Sequence, residues 1–212
     1  MHRILVAVLA VSLFVLPSTV LAGGLSVGPK VGVNFANFTG NDVEGEEMKI
    51  GAAIGGVLVY SFSDLISVQP ELLYTMKGTL DEDDKAINLN YLEIPILAKF
   101  SFLTGDVRPI AFIGPALGIL LSADWDGKSE APAGPGGALI KVSDLVNSTD
   151  IGAVIGAGVE IGKLGPGTLT ADLRYEMGLT TIASDKMKND EGETADVKNS
   201  VISLMVGYLF SL

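Results

Sequence analysis

Alternation of apolar and polar side chains, repeated along the chain, is the feature that most limits what this sequence can fold into. In residues 168–180 the odd positions hold only Leu, Ala, Tyr and Met, whereas the even positions hold Thr, Asp, Arg, Glu and Gly. A period of two residues is typical of a β-strand with one apolar face. The same period predicts strands over 66–77, 88–102, 150–162, 168–180 and 202–212, with weaker patterns over 27–36 and 50–62. Residues 109–122 predict an eighth strand, but both parities are apolar, so its orientation stays open.

The predicted connections between these strands alternate in length. Long segments at 37–49, 78–87, 123–149 and 181–197 alternate with short turns at 63–64, 103–108 and 162–167. Long loops on one side, with short turns and both termini on the other, are typical of outer-membrane barrels. Because a bilayer offers the backbone no hydrogen-bond partners, only helices or closed sheets can cross it. The sequence therefore predicts an all-β fold, an eight-stranded antiparallel up-and-down transmembrane β-barrel.

A soluble alternative also has period-two strands. A secreted β-sandwich, or an eight-stranded lipocalin-like cup, would turn the apolar parity inward and show the polar parity to water. Two observations favour the membrane barrel: one parity is apolar throughout, and the loop lengths alternate regularly.

The first residues predict a secretory signal peptide over 1–22. A basic start, an apolar run over 4–16 and small residues up to Ala22 fit such a signal, and the run is too short for a membrane anchor helix. The barrel domain is then 23–212. Cleavage removes His2, the sole histidine, and the chain has no cysteine. Chemistry based on His or Cys is thereby excluded, so we expect no enzymatic activity, no cofactor and no metal centre.

Charged side chains recur at the parity that faces the lumen. With the apolar parity outward, the inward set is Lys30, Glu71, Lys77, Glu93, Lys99, Glu160, Asp172, Arg174 and Glu176, with Asp150 near a rim. Unpaired charges in a narrow interior are costly. We therefore expect a closing network of salt bridges and hydrogen bonds formed by Lys30, Glu71, Glu93, Lys99, Glu160, Asp172, Arg174 and Glu176. The alternative is an ion or proton path, or a gate, and Glu93 with Arg174 is the pair to test first.

Several motifs follow one another in a recognisable order. They lie at 31–42, 68–78, 91–99, 114–118, 156–160 and 172–179, and include Gln-Pro-Glu-Leu at 69–72 and Tyr-Leu-Glu-Ile-Pro at 91–95. In this order they resemble the PorT-like outer-membrane β-barrel family. The resemblance implies an eight-stranded barrel of a Gram-negative outer membrane and little about activity, although one namesake is linked to a protein-secretion machinery. A departure is the C-terminus, where Leu212 follows Phe210 and Ser211 instead of an aromatic residue ending the chain.

The acidity of the chain is concentrated in the predicted long loops. The whole chain has a net charge of −11, and the four long loops contain 17 acidic and 6 basic residues. Such a chain does not suit nucleic acid. Carboxylates crowd the first two loops, at Asp42, Glu44, Glu46 and Glu47 and at Asp81, Glu82, Asp83 and Asp84. These groups are oxygen ligands that could bind divalent cations weakly, although solvated charge is their usual role.

These features predict a monomeric protein of the outer membrane with a structural or surface-interaction role. The expected partners are membrane lipid and lipopolysaccharide, and the barrel-assembly machinery during biogenesis. One alternative is a narrow, porin-like pore for ions or small solutes. A further alternative is a soluble periplasmic ligand carrier, which would fractionate without detergent.

Overall fold

The computed structural model describes residues 24–43, 47–81, 84–102, 105–133, 138–189 and 191–212, so the predicted signal peptide over 1–22 lies outside the described residues. The elements in chain order are β1 (Leu25–Thr39), β2 (Lys49–Ser61), β3 (Ile66–Leu80), β4 (Ala86–Ser101), β5 (Val107–Trp125), β6 (Glu130–Ala133), β7 (Ala138–Lys141), α1 (Val142–Leu145), β8 (Thr149–Leu164), β9 (Gly167–Gly178) and β10 (Lys198–Ser211).

Eight of these strands form one closed sheet. The order around the barrel is β1, β10, β9, β8, β5, β4, β3 and β2. All neighbours are antiparallel, and β1 closes the sheet, since Val33 lies opposite Ala52 on one side and Leu204 on the other. Closure gives each barrel strand a partner on both edges, as the interior of a bilayer requires. The eight-stranded antiparallel up-and-down barrel predicted from the sequence is confirmed.

The prediction of strictly alternating loop lengths is wrong at one connection. Long segments at 40–48, 126–148 and 179–197 leave one end of the barrel, and turns at 62–65, 102–106 and 165–166 leave the other. The loop expected at 78–87 spans only 81–85, because β3 and β4 continue as a pair to Leu80 and Ala86. Thr79 holds this extension in place through hydrogen bonds to the side chain of Asn37 and the carbonyl of Glu47. These contacts with neighbouring segments override the turn-like local sequence.

The outward side chains form an apolar belt around the barrel. Exposed members on different strands include Val33, Ile54, Leu72, Ile96, Ile113, Ile155, Leu173 and Leu204. A continuous apolar surface of this kind suits lipid hydrocarbon, whereas on a protein in water it would promote aggregation. The orientation that the sequence left open is now decided, since β5 turns Ile110 and Phe112 inward and Ile113 and Leu117 outward.

The end that carries the long loops, which by the general rule for outer-membrane barrels we call the extracellular end, has an apolar core of its own. We call this core the outer cluster, and its buried members are Phe38, Leu89, Tyr91, Ala123, Val142, Ile182, Ala183, Ala195 and Val197. A bulge between Asn90 and Tyr91, next to two members of the cluster, shifts the register of β4 against β5. The hairpin of β6 and β7 and the helical turn α1 belong to loop 126–148. Within the described ranges, no helix is long and apolar enough to span a membrane.

Candidate functional site

Charged side chains in three layers cross the lumen, and all eight residues predicted for the network are buried inside the barrel. Their positions follow from strand alternation, because β1, β3, β4, β8 and β9 each turn one parity toward the axis. An eight-stranded barrel has an interior that side chains just fill. Each charged group therefore lies within reach of groups on other strands.

The middle layer joins β1, β3 and β9 through four charged residues. Lys30 Nζ lies 2.9 Å from Glu71 Oε1 and 2.7 Å from Asp172 Oδ2. The Arg174 guanidinium donates to Glu71 at 2.7 and 3.2 Å, and to Asp172 at 2.8 and 2.9 Å. Gln69 adds a further hydrogen bond to Glu71 at 2.8 Å. Two cations and two anions thus share a closed, charge-balanced set of bonds.

The periplasmic layer is built around Glu160 of β8. Its Oε1 accepts from Lys99 Nζ at 2.6 Å, and its Oε2 accepts from Arg108 at 2.7 Å. Lys99 is buried, whereas about a third of the Arg108 side chain is exposed. This layer therefore reaches from the lumen to the periplasmic mouth.

The extracellular layer gathers three carboxylates around one ammonium group. Lys77 Nζ lies 2.7 Å from Glu93 Oε2, 2.6 Å from Glu176 Oε1 and 3.9 Å from Asp150 Oδ2. Asn199 donates to Asp150 Oδ2 at 2.9 Å, whereas Asp150 Oδ1 has no hydrogen-bond partner among the described residues. Around Lys77 the layer thus carries more negative than positive charge.

The structure places Glu93 and Arg174 apart from each other, and it corrects the predicted position of Lys49. Glu93 and Arg174, chosen as the pair to test first, lie in different layers: Arg174 binds Glu71 and Asp172, and Glu93 binds Lys77. Strand parity places both residues in the lumen but says nothing of which strands face each other across it. Lys49, expected within loop 37–49, instead begins β2 and donates to the carbonyl of Lys77 at 3.2 Å.

Three charged groups of the site were outside the predicted network set, one of them Asp150, which was expected near a rim and is buried beside Lys77. Lys77 was recognised as inward-facing but not included, although it is the centre of the extracellular layer. Arg108 was assigned to a turn, and its role appears only when β5 is seen to begin at Val107. The excess of inward acids over the chosen bases was the signal that further cations were needed.

Uncharged polar side chains continue the network between the layers. Asn34 donates to the hydroxyl of Thr75 at 2.8 Å, and Ser203 donates to Asn34 Oδ1 at 2.9 Å. All three side chains are buried. Satisfied bonds of this kind fix side-chain positions in an interior of low dielectric constant.

Charges at the extracellular rim are paired locally. A hydrogen bond from Lys186 lowers the pKa of Asp144 below its ordinary value, and Lys198 does the same for the pKa of Asp196. Glu44, Glu46, Glu82 and Asp83 lie outside the described residues. In the described part of the chain, no group of three or more acidic or histidine side chains is arranged to hold a metal ion.

Comparison with known proteins gives the family. The sequence model of a protein family, described as outer membrane protein beta-barrel domain, matches residues 17–184, which is most of the chain. The chain belongs to the outer membrane protein beta-barrel domain family. No curated protein matches it. As a member of this family with an apolar outer belt, the protein is an integral barrel of the outer membrane.

Solved structures similar to this family member are also outer-membrane barrels. Neisserial surface protein A is 16% identical, with 88% of this chain and 98% of that one covered and a TM-score of 0.52. OprG of Pseudomonas aeruginosa is 11% identical, with 90% and 96% covered and a TM-score of 0.49. Ail of Yersinia pestis, solved with the heparin analogue sucrose octasulfate, is 16% identical, with 88% and 99% covered and a TM-score of 0.46. At these identities the likeness to Neisserial surface protein A concerns the fold alone.

Proposed function

We propose that this protein is a non-conducting, non-enzymatic barrel whose role is structural or lies in surface interactions through its extracellular loops. The observation that carries this proposal is the bonding of the lumen. Ion pairs of 2.6–2.7 Å connect non-neighbouring strands at three heights, from Lys99 and Glu160 through Arg174 and Glu71 to Lys77 and Glu176. A hydrated ion would have to break these bonds and leave buried charges without partners.

The lumen carboxylates are also poor candidates for acid–base catalysis in this arrangement. Glu71 is held by Lys30 and Arg174, and its side chain is fully buried. A general base must reach the proton that it removes within hydrogen-bond distance. This burial supports the proposal that the protein is not an enzyme.

Planar-bilayer recording tests the closed lumen. We expect no unitary conductance steps from the wild-type protein, because an ion pair bridges the lumen in each of the three layers. A variant that combines Glu71→Ala and Arg174→Ala with Lys77→Ala and Glu160→Ala removes ion pairs in all three layers and should admit current, which also shows that the protein inserts. Lys186→Ala, at an exposed rim pair, is the matched control and should stay silent. Reproducible wild-type steps that disappear on changing Glu93 or Arg174 would contradict the proposal.

A narrow cation-selective pore is the second candidate, and the extracellular layer is what favours it. Three carboxylates surround Lys77, so the layer would attract cations to the lumen. In a salt gradient, this function predicts a cation-selective reversal potential that Glu93→Gln and Glu176→Gln reduce. If the wild-type protein carries no current in that gradient, the pore function is rejected.

The partners follow from the two surfaces of the barrel. The apolar belt contacts membrane lipid, and we infer a monomer, since the barrel closes on itself. The acidic loops would meet lipopolysaccharide phosphates through divalent cations, because direct contact would bring like charges together. The barrel-assembly machinery is the expected partner during biogenesis. Chelation of divalent cations should weaken retention of lipopolysaccharide on the purified protein, and the same retention with and without chelator would count against such bridging.

We also propose the finer assignment to the PorT-like group. The Tyr-Leu-Glu-Ile-Pro motif at 91–95 supports it, because this motif forms part of β4 and contributes Glu93 to the lumen. Loss of protein secretion on deletion of the gene, with rescue by the wild-type chain, would support a secretion role. Unchanged secretion would leave only the family-level assignment.

A further inference from the structure

A second feature, apart from the charged lumen, is a cavity of about 230 Å³ at the extracellular end of the barrel. Its described lining is apolar except for Asp42, and includes Phe38, Leu89, Trp125, Val142 and Met187. Several of these side chains belong to the outer cluster or pack against it. The cavity is therefore an apolar space inside the loop region, not part of the ion-pair network.

The cavity is closed toward the periplasm and open toward the outside. Leu89 is buried in its lining, and Tyr91, two residues further along β4 toward the Lys77 layer, has Lys77 Nζ 5.4 Å from its ring centroid. At the other side, Asp42 is exposed and Met187 is half-buried. A molecule entering from the extracellular side would meet the outer cluster and the Lys77 layer as a dead end.

Hydrogen bonds between loops hold the walls of the cavity in place. The Asp42 carboxylate accepts from the backbone N–H of Asp196 at 2.8 Å and from the side-chain amide of Asn189 at 3.4 Å. Asn147 donates to the carbonyl of Ala183 at 2.8 Å. The Asp42 carboxylate in the lining thus joins the first and last loops by hydrogen bonds, and these bonds make the cavity preformed.

We propose that this cavity binds a small, uncharged apolar molecule, the size of a one- or two-ring aromatic or a short alkane, from the extracellular side. An apolar cavity of about 150 Å³ can stay free of water and bind benzene, and this one is larger. Apolar lining and preformed walls are the usual properties of small-molecule sites. The acidic loops around the mouth disfavour anionic amphiphiles such as fatty acids, which leaves neutral molecules as the class that fits. Because the inner side is closed, the site captures its ligand without passing it through the barrel.

Trp125 makes the test direct, because it is the sole tryptophan and lines the cavity. Bromobenzene quenches indole fluorescence on contact, so it serves as the probe, with the protein in phosphatidylcholine nanodiscs. We expect saturable quenching of Trp125. A membrane reporter, Trp125→Phe/Tyr175→Trp, should show quenching that rises linearly with probe partitioned into lipid, because Tyr175 lies on the outer belt.

Two substitutions on the same hairpin distinguish probe binding in the cavity from binding elsewhere on the loops. Ala131 lines the cavity and pairs with Ile140, so Leu139, next to Ile140, faces the other side of the hairpin. Ala131→Phe should fill the cavity and weaken bromobenzene binding at least about tenfold, whereas Leu139→Phe should bind as wild type. Heat-modifiable migration on gels shows whether each variant is folded, and Val43→Phe at the mouth replaces Ala131→Phe if that variant fails to fold.

Either of two results overturns the proposal. One is linear quenching of Trp125, indistinguishable from the membrane reporter. The other is saturable quenching that persists unchanged in a folded, cavity-filled variant, since the probe would then bind elsewhere.

Discussion

Removing Arg174 should destabilise the barrel more than removing any exposed basic residue. Its guanidinium is 5% exposed and binds both Glu71 and Asp172, and without it Lys30 alone faces two buried carboxylates. Breaking a buried ion pair by deleting one partner costs about 3–5 kcal/mol. We therefore expect Arg174→Met to lower the free energy of unfolding by about that amount.

The matched control is the exposed pair of Lys186 and Asp144, whose side chains are 58% and 46% exposed. Solvent and salt screen such pairs, so Lys186→Met should leave the free energy of unfolding almost unchanged. Urea unfolding in micelles measures both variants, through Trp125 fluorescence and through heat-modifiable migration.

A compensating variant tests the charge argument against simple loss of packing. Adding Asp172→Asn to Arg174→Met leaves Lys30 with one carboxylate, Glu71, and restores the charge balance of the layer. The double variant should recover part of the lost stability, a coupling that a double-mutant cycle measures. If Arg174→Met unfolds at the same urea concentration as Lys186→Met, or if Asp172→Asn adds a further loss, the reasoning is refuted.

Two more predictions concern the outer belt and the strand contacts. Leu173→Arg puts a charge on the lipid face and should lower the free energy of unfolding by about 2–4 kcal/mol. The control is Leu139→Arg, at a residue that is 65% exposed in the extracellular hairpin, and it should have little effect. Equal losses of stability for the two variants, measured by unfolding in bilayers, would argue against the assigned membrane face. Gly28→Ala places a Cβ against the backbone carbonyl of Tyr208, while Gly24 has open space around it. Gly28→Ala should therefore lower the free energy of unfolding by about 1–3 kcal/mol, and Gly24→Ala should leave it almost unchanged. Equal urea midpoints for the two variants would show that β1 and β10 can separate without strain.

Strand alternation made most of the fold and part of the site predictable. Once the apolar parity of β9 was assigned outward, Asp172, Arg174 and Glu176 had to face the lumen, because alternate side chains of a strand lie on opposite faces. The same argument could not orient β5, where both parities are apolar. There the neighbours decided, since Phe112 packs inside with Arg174 5.1 Å from its ring.

The partners within the lumen were beyond the sequence for a geometrical reason. Parity says that Glu93 and Arg174 are inside, but the stagger of the strands sets their heights along the barrel axis. That stagger brings Lys77 to Glu93 and leaves Arg174 to Glu71.

By itself, the sequence determined a closed antiparallel barrel with a lipid-facing apolar belt and charged residues inside, because a period of two and the needs of the backbone in a bilayer admit few other folds. Only the tertiary structure decided how those charges divide into three layers, how far β3 and β4 extend, and that Trp125 lines an apolar cavity between loops distant in sequence. Each of these features depends on contacts between segments that are far apart in the sequence, and sequence separation does not determine how close two segments lie in space.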